Sequence, residues 1–314
     1  MNLFRAALHG LALGVAAGPA VVAVASVAGF GHRWPDLLAQ FAAPVLLAGV
    51  TLLVPLVWLR LWPAAGVTGL AIVGLLVAVA PEWWPERGTV AEGAPSLSLY
   101  SANVLWENDD TAAIARSIAE ADTDVVILIE LGDGPSAVID TLLPDHPHRV
   151  TSPRAGRDGK AARSVVASRY PVTGIEDRRD GLHSVGATVQ GPFGPVHVLG
   201  VHLTRPWPFQ YQWGQITQVM AMTEIRNDLT GPVIVAGDFN AVSGARIGRQ
   251  VQAEAGLVPA PGFPGTWPSF MPSATAITID QVYRSPDLAL LERRLGRANG
   301  SDHRPVITRF APVG

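Results

Sequence analysis

Three stretches without a single Asp, Glu, Lys or Arg, residues 7–30, 37–59 and 61–80, fill most of the first eighty positions of this chain. Each matches the roughly 20 residues a helix needs to cross the hydrocarbon core of a bilayer. A helix in a soluble core carries a polar stripe, and these segments have none. Pro19, Pro44 and Pro55 would damage a soluble helix, whereas neighbouring helices in a membrane re-satisfy the freed backbone groups. Trp34, Trp58, Trp62, Trp83 and Trp84 fall at the segment ends, where an interfacial aromatic belt sits. The pattern predicts a membrane anchor over 1–88 with three transmembrane helices. A cleaved signal peptide is the alternative for the first segment, with Arg5 as its basic region and Ala23-Val24-Ala25 as a cleavage-like site. It would leave the other two spans in place. Arg5 and Arg60 fall on one side of a three-span arrangement and Arg33 on the other. The positive-inside tendency then puts the N-terminus in the cytoplasm and the C-terminal part outside a bacterial inner membrane.

Residues 89–95, small and polar with Gly and Pro, read as a linker to a domain spanning 96–314. Cysteine is absent, so no disulfide framework can form. The whole chain carries a formal charge of −3; its first ninety residues hold four Arg against Asp36, Glu82 and Glu86, which leaves −4 for the rest. A domain that binds nucleic acid chiefly by neutralising phosphates is basic as a whole, and this one is not.

From residue 96 the texture becomes short apolar runs separated by polar loops. Strands are predicted over 96–104, 124–130, 164–168, 185–189, 196–202, 232–236, 277–283 and 304–310, with helices over 111–121 and 212–229. Mixed strands and helices over some 220 residues imply a layered α/β domain.

Several of these strands end on chemically useful side chains. Glu130 closes the apolar run Val125–Ile129, a costly place for a carboxylate unless something pairs with it. A hard cation such as Mg²⁺, which prefers oxygen ligands, would do so; a solvated strand end is the plainer reading. Gly237-Asp238-Phe239-Asn240 follows another apolar strand. It can be a simple turn, or it can deliver a carboxylate that takes a proton from water and an amide that orients the reactants. Ser301-Asp302-His303 precedes the last strand, and adjacent extended residues would send Asp302 and His303 to different partners. Asp280, on an apolar strand, is placed to fix the tautomer of His303. His202 ends its strand as a second candidate imidazole, and a structural role is the plainer reading for it.

Asn103, Glu130, His202, Asp238, Asn240, Asp280, Asp302 and His303 occur in this order, each at a predicted strand edge. With Gly-Asp-Phe-Asn and Ser-Asp-His as its specific pair of motifs, the chain resembles the endonuclease/exonuclease/phosphatase superfamily from about residue 96 to 312. The resemblance implies a DNase I-like four-layer α/β sandwich, two packed mixed β-sheets flanked by helices. It implies Glu130 as principal Mg²⁺ ligand (or Mn²⁺), with Asn103 and Asp302 beside the metal. Asp238 matches the residue that activates the nucleophile, Asn240 its orienting partner, His202 and His303 the pair that contacts the scissile phosphate, and Asp280 the carboxylate supporting His303. Gln281 stands where many relatives have His, and the family's Asn-Ala-Ile-Leu-Ser-Arg stretch appears as Arg163 to Arg169. No residue between Glu130 and His202 is assigned as the acid for the leaving group.

The function expected is therefore a membrane-anchored metal-dependent phosphoesterase acting on a lipid-linked phosphate ester or diester. Arg205, Trp207 and the aromatics Phe209, Tyr211 and Trp213 follow His202 directly, and Arg205, Trp207 and Arg163 are candidate substrate contacts. Arg163 ends a basic stretch with Arg149, Arg154, Arg157 and Lys160 that can gather an anionic headgroup. A nuclease acting on extracytoplasmic DNA or RNA, and a non-catalytic membrane protein that binds phosphorylated ligands, are the alternatives.

Overall fold

The computed structural model describes residues 3–154, 162–176, 179 and 181–314. Arg157 and Lys160 of the basic stretch lie outside the described residues. The chain separates into two compact units, residues 1–84 with 244–246, and residues 85–243 with 247–314.

The first unit holds α1 (Leu3–Val27), α2 (Arg33–Ala39), α3 (Ala42–Trp58) and α4 (Trp62–Trp83). Small side chains let the helices approach closely: Ala12, Ala16, Ala23, Ala64, Ala65 and Ala71 are all buried between them, as expected where packing rather than hydrophobicity joins apolar helices. Leu11, Val24, Val54, Leu70 and Val77 point outward. Two helices, α1 and α4, are individually long and apolar enough to span a membrane, and α2 with α3 makes a third only if a bent pair counts as one span. The predicted continuous helix over 37–59 is thus corrected: it breaks around Gln40–Phe41 with a bend of 62°. Pro44 accounts for this, because a proline ring clashes with the carbonyl four residues earlier, here that of Gln40, and offers it no N–H.

The second unit carries β1 (Leu97–Asn103), α5 (Thr111–Ala121), β2 (Val125–Leu131), α6 (Asp133–Ala137), α7 (Ile139–Leu142), β3 (His148–Thr151), β4 (Arg163–Ser168), β5 (Val172–Gly174), β6 (His183–Gly191), β7 (Gly194–His202), α8 (Gln212–Asn227), β8 (Val233–Asp238), α9 (Arg246–Ala255), β9 (Val258–Pro259), β10 (Asp280–Arg284), β11 (Leu288–Leu295) and β12 (Val306–Pro312). Among the described residues these strands form two six-stranded sheets, ordered β11-β12-β1-β2-β4-β3 and β5-β6-β7-β8-β10-β9. Each sheet has one parallel pair, β1 with β2 and β7 with β8. A parallel pair needs a crossover, which α5 and α8 provide.

Strand composition dictates the layering. Val125, Ile127 and Ile129 of β2 face the core between the sheets, while Val126 and Leu128 face Ile114 and Ile118 of α5. Ile234 and Ala236 of β8 likewise meet the inter-sheet core, and Val233 and Val235 meet Val219 and Met222 of α8. Strands buried on both faces read as unbroken apolar runs rather than alternating ones. The result is four layers, helix, sheet, sheet, helix: the DNase I-like fold.

Residues 86–90 are docked on this unit. The Leu290 N–H donates to the Arg87 carbonyl at 2.7 Å, the buried Arg284 guanidinium donates to the Glu86 carbonyl at 2.8 Å, and Val90 bridges Val313. The segment read as a linker over 89–95 therefore starts with a β-bridge to the residue just after β12.

Gly200 of β7 marks a close approach of the sheets. A Cβ there would stand 2.9 Å from Cγ2 of Ile127 and 2.9 Å from Cγ1 of Val185. Gly200→Val should destabilise the chain by about 1–3 kcal/mol through overpacking, read as a lower urea midpoint with an unchanged slope. An unchanged midpoint would contradict the packing described.

Candidate active site

The C-terminal ends of the two parallel pairs place Asn103, Glu130, His202 and Asp238 at one rim, the position where open α/β sheets bind ligands. Asp238 is the hub. Its carboxylate is 2% exposed, accepts from Asn103 Nδ2 at 3.0 Å and from the backbone N–H of Asn240 at 2.8 Å, and lies 3.8 Å from both His202 Nε2 and His303 Nε2. Burial pushes its pKa up, against the opposing pull of His303. Asn240 adopts φ +48° and donates through Nδ2 to the Leu203 carbonyl at 2.9 Å, which locks the turn. Gly237, at φ +140°, is required here: a Cβ would stand 2.1 Å from the Val201 carbonyl oxygen of the neighbouring strand.

Asp280 pairs with Asp238 across β10 and β8 and sets its carboxylate 2.9 Å from Nδ1 of His303. Burial works to lower the His303 pKa, but Asp280, Asp238 and Asp302 together outweigh it and raise it to about 10. The imidazole is thus held as a cation at neutral pH. Ser301–His303 forms a bend rather than the extended segment expected. Asp302 Oδ2 accepts from Trp267 Nε1 at 3.2 Å, and its Oδ1 is buried without a hydrogen-bond partner, 3.8 Å from His303 Nε2.

Glu130 does not simply end its strand. Ile129 and Glu130 of β2 together oppose Ser164 of β4 in a bulge, and Glu130 takes φ +57°. Bulges re-aim side chains beside active sites. Here the carboxylate reaches 3.3 Å from His202 Nε2 and borders a cavity of about 350 Å³ with His202, Trp106, Arg163 and Arg205. Trp207, half-buried, is not among the residues lining it.

Two groupings can be weighed as a cation site. Asp238, Asp280 and His303 offer ligand atoms within 4.8 Å of one another, but all three are buried and His303 already engages Asp280. Mg²⁺ keeps several waters and takes one or two carboxylates. Glu130, open to the cavity, and Asp302, with its orphaned Oδ1, each keep oxygen capacity for such an ion. Asn103 is committed on its Nδ2 to Asp238 and receives the Leu105 N–H on its Oδ1 at 3.0 Å, which leaves one lone pair of that oxygen.

Sequence reasoning did not single out Trp106, whose N–H faces Glu130 Oε2 at 3.4 Å, or His183, which pairs with His202 across β6 and β7. The predicted strand over 185–189 stops short of His183, and the closure of a loop onto Glu130 has no local sequence signal. Gln281, where many relatives have His, is buried and donates to the Thr278 carbonyl at 2.6 Å, away from His303.

The profile of the Endonuclease/Exonuclease/phosphatase family matches residues 100–303, and the chain belongs to this family, whose members hydrolyse phosphate esters and phosphodiesters. Similar solved structures include an endonuclease/exonuclease/phosphatase from Beutenbergia cavernae DSM 12333 (TM-score 0.57, 19% identity, 70% of this chain and 72% of that one). Another, from Bacteroides vulgatus, gives a TM-score of 0.56 at 14% identity, covering 69% and 99%. At such identities they establish the fold. A UPF0294 protein of Vibrio cholerae is 36% identical over 96 residues, 30% of this chain and 32% of that protein. The chain thus spans about a third of the length of the curated relatives it matches.

Because the His303 pKa in the fold lies above its unfolded value of 6.5, the pair contributes stability in full below pH 6.5 and loses it as pH rises through about 10. Asp280→Asn should therefore cost most stability just below pH 6.5, with the gap to wild type narrowing as pH rises toward about 10. Histidine NMR should show the His303 titration moving down in the variant. A wild-type His303 that titrates near 6.5 would contradict the pairing.

Proposed function

We propose that this chain is a membrane-anchored, divalent-metal-dependent phosphoesterase that hydrolyses a phosphate ester or diester, on a lipid-linked substrate at the outer face of a bacterial inner membrane. The observation that carries the reading is the gathering of Asp238, Asn103, His202 and His303 around one buried carboxylate, with Glu130 in contact with His202.

Asp238 takes the proton from the attacking water. Its pKa, raised by burial, brings the carboxylate toward the working pH, which is what an efficient general base needs. Asn103 and the Asn240 backbone fix its two oxygens, and the Asn240 side chain orients the turn. His303, held as a cation by Asp280, and His202 stabilise charge on the phosphoryl oxygens, the main demand of phosphoryl transfer. Glu130 and Asp302, with Asn103 adjacent, are the side chains to hold Mg²⁺, or Mn²⁺ in its place. When bound, such an ion supplies charge neutralisation at the phosphate.

Location favours a lipid-linked substrate. The charge-poor helices α1 and α4 meet the length and composition of membrane spans. Phe209, Tyr211 and Trp213, 71%, 86% and 69% exposed, follow directly on His202 and Arg205, and exposed aromatics of this kind suit the headgroup level. Full-length protein in detergent with Mg²⁺ should hydrolyse a phosphatidyl lipid or a polyprenyl diphosphate in preference to plasmid DNA. Asp238→Asn should lower kcat/KM by about 10²–10⁴-fold with thermal unfolding preserved, and EDTA should abolish activity until Mg²⁺ is returned. Cleavage of plasmid alone would favour the nuclease reading, and Asp238→Asn with wild-type turnover would remove the assigned base.

A further inference from the structure

We propose that the cavity beside Glu130 and His202 is a receptor for a second anionic group, so that the substrate class carries a phosphate beyond the one hydrolysed. The inference rests on the phosphoesterase reading and names the substrate of that same site.

Two guanidinium groups reach this cavity from different sheets. Arg163 opens β4 in one sheet, and Arg205 follows β7 in the other. Neither has a hydrogen-bond or ion-pair partner among the described residues. That is unusual in this unit, where Arg149, Arg154, Arg169, Arg179, Arg294 and Arg297 each pair with a carboxylate. Among the described residues Glu130 is the sole acidic side chain in the lining, and it stands at the catalytic end. Thr204 also lines this wall, with its hydroxyl turned to Gly214 of α8 rather than to the cavity. Two planar forks unpaired among the described residues form a donor set with nothing to accept, and guanidinium matches phosphate oxygens in geometry and charge.

Size points the same way. A cavity of about 350 Å³ falls within the roughly 300–1,000 Å³ range of small-molecule sites. The scissile phosphate, held between the two histidines, occupies only its Glu130 and His202 edge. The far wall, with Arg163, Arg205 and Thr204, is left for another group of the same substrate. The spacing between the two anions depends on the substrate: directly bonded in a diphosphate, several atoms apart in a diester with a phosphorylated neighbour.

Calorimetry on full-length protein at constant free Mg²⁺ tests this without requiring turnover, using methylphosphonate, methylenediphosphonate and 1,3-propylenediphosphonate as probes. At least one bisphosphonate should bind about tenfold or more tightly than methylphosphonate, as expected for one or two charge-assisted hydrogen bonds. The preferred probe reports the spacing. In the double variant Arg163→Gln/Arg205→Gln that preference should fall below about threefold, with Arg→Lys at both positions intermediate because charge remains without the fork. Wild-type protein with no preference overturns the proposal, and so does a preference that survives the double substitution. Protein that hydrolyses simple phosphate esters but shows no arginine-dependent preference fails this inference alone. Wild-type turnover in Asp238→Asn fails the catalytic reading instead.

Discussion

Asp238 is a carboxyl group taken almost wholly out of water at the end of a central strand, and a group in that position must be held by donors or it destabilises the fold. The donors come from across the unit. Asn103 arrives from β1 in the other sheet and the Asn240 N–H from the turn that follows, while two imidazoles, from the end of β7 and the loop before β12, stand 3.8 Å off rather than in hydrogen-bond contact. Hydrogen bonds to charged groups contribute about 1.5–3 kcal/mol each, whereas an uncompensated buried charge costs several. The contacts around Asp238 are therefore conditions for burying it, and the two sheets are tied at this rim by polar contacts as well as by their apolar core. His303 needs Asp280 in turn, since an imidazolium buried that deeply would otherwise lose its proton.

Backbone strain appears at two of the same places. Glu130 and Asn240, neither of them glycine, hold φ of +57° and +48°, which costs on the order of 1–3 kcal/mol each. At Glu130 the strain belongs to the bulge opposite Ser164 and swings a carboxylate toward the cavity. At Asn240 it is met by the side-chain bond to Leu203 and the backbone bond to Asp238. An unstrained β2 would alternate in register, and position 130 would follow Val126 and Leu128 onto the face packed against α5.

What could be read from the chain alone follows from what is local. Asp-Val-Val-Ile-Leu-Ile-Glu and Pro-Val-Ile-Val-Ala-Gly-Asp declare buried strands by composition, and Ile114, Ile118 and Ala121 declare α5, whose bounds are as predicted. The candidate site residues carried their motifs with them, so their convergence could be anticipated. Long-range facts could not. The bulge at Glu130 depends on a mismatch with β4, and the contact of Trp106 with Glu130 on loop closure. Elements also escaped where polar residues diluted the pattern. β11 ends in Glu292, Arg293 and Arg294, and α9 interleaves Arg246, Arg249, Gln250 and Glu254 with its apolar face. The break between α2 and α3 is legible in the sequence, since Pro44 stands four residues after Gln40, whose carbonyl its ring strikes.

Net charge is a coarser guide than the pairing of individual charges. A balance of −4 over the catalytic unit argues against a polyanion only if every charge acts at once. Interactions between exposed charges fade beyond roughly 8–10 Å at physiological salt, so the field in one cavity is set by what lines it. Pairing sorts the arginines into those whose charge is cancelled nearby and those whose charge is not, and Arg163 and Arg205 belong to the second group. A positively charged groove that tracks a nucleic-acid strand needs such residues along its length with aromatic platforms between them. Two guanidinium groups at the wall of one bounded cavity instead suit a compact substrate whose charges lie close together. The proposed preference for a small phosphorylated molecule over nucleic acid thus rests on where the unpaired charge lies rather than on how much of it the chain carries.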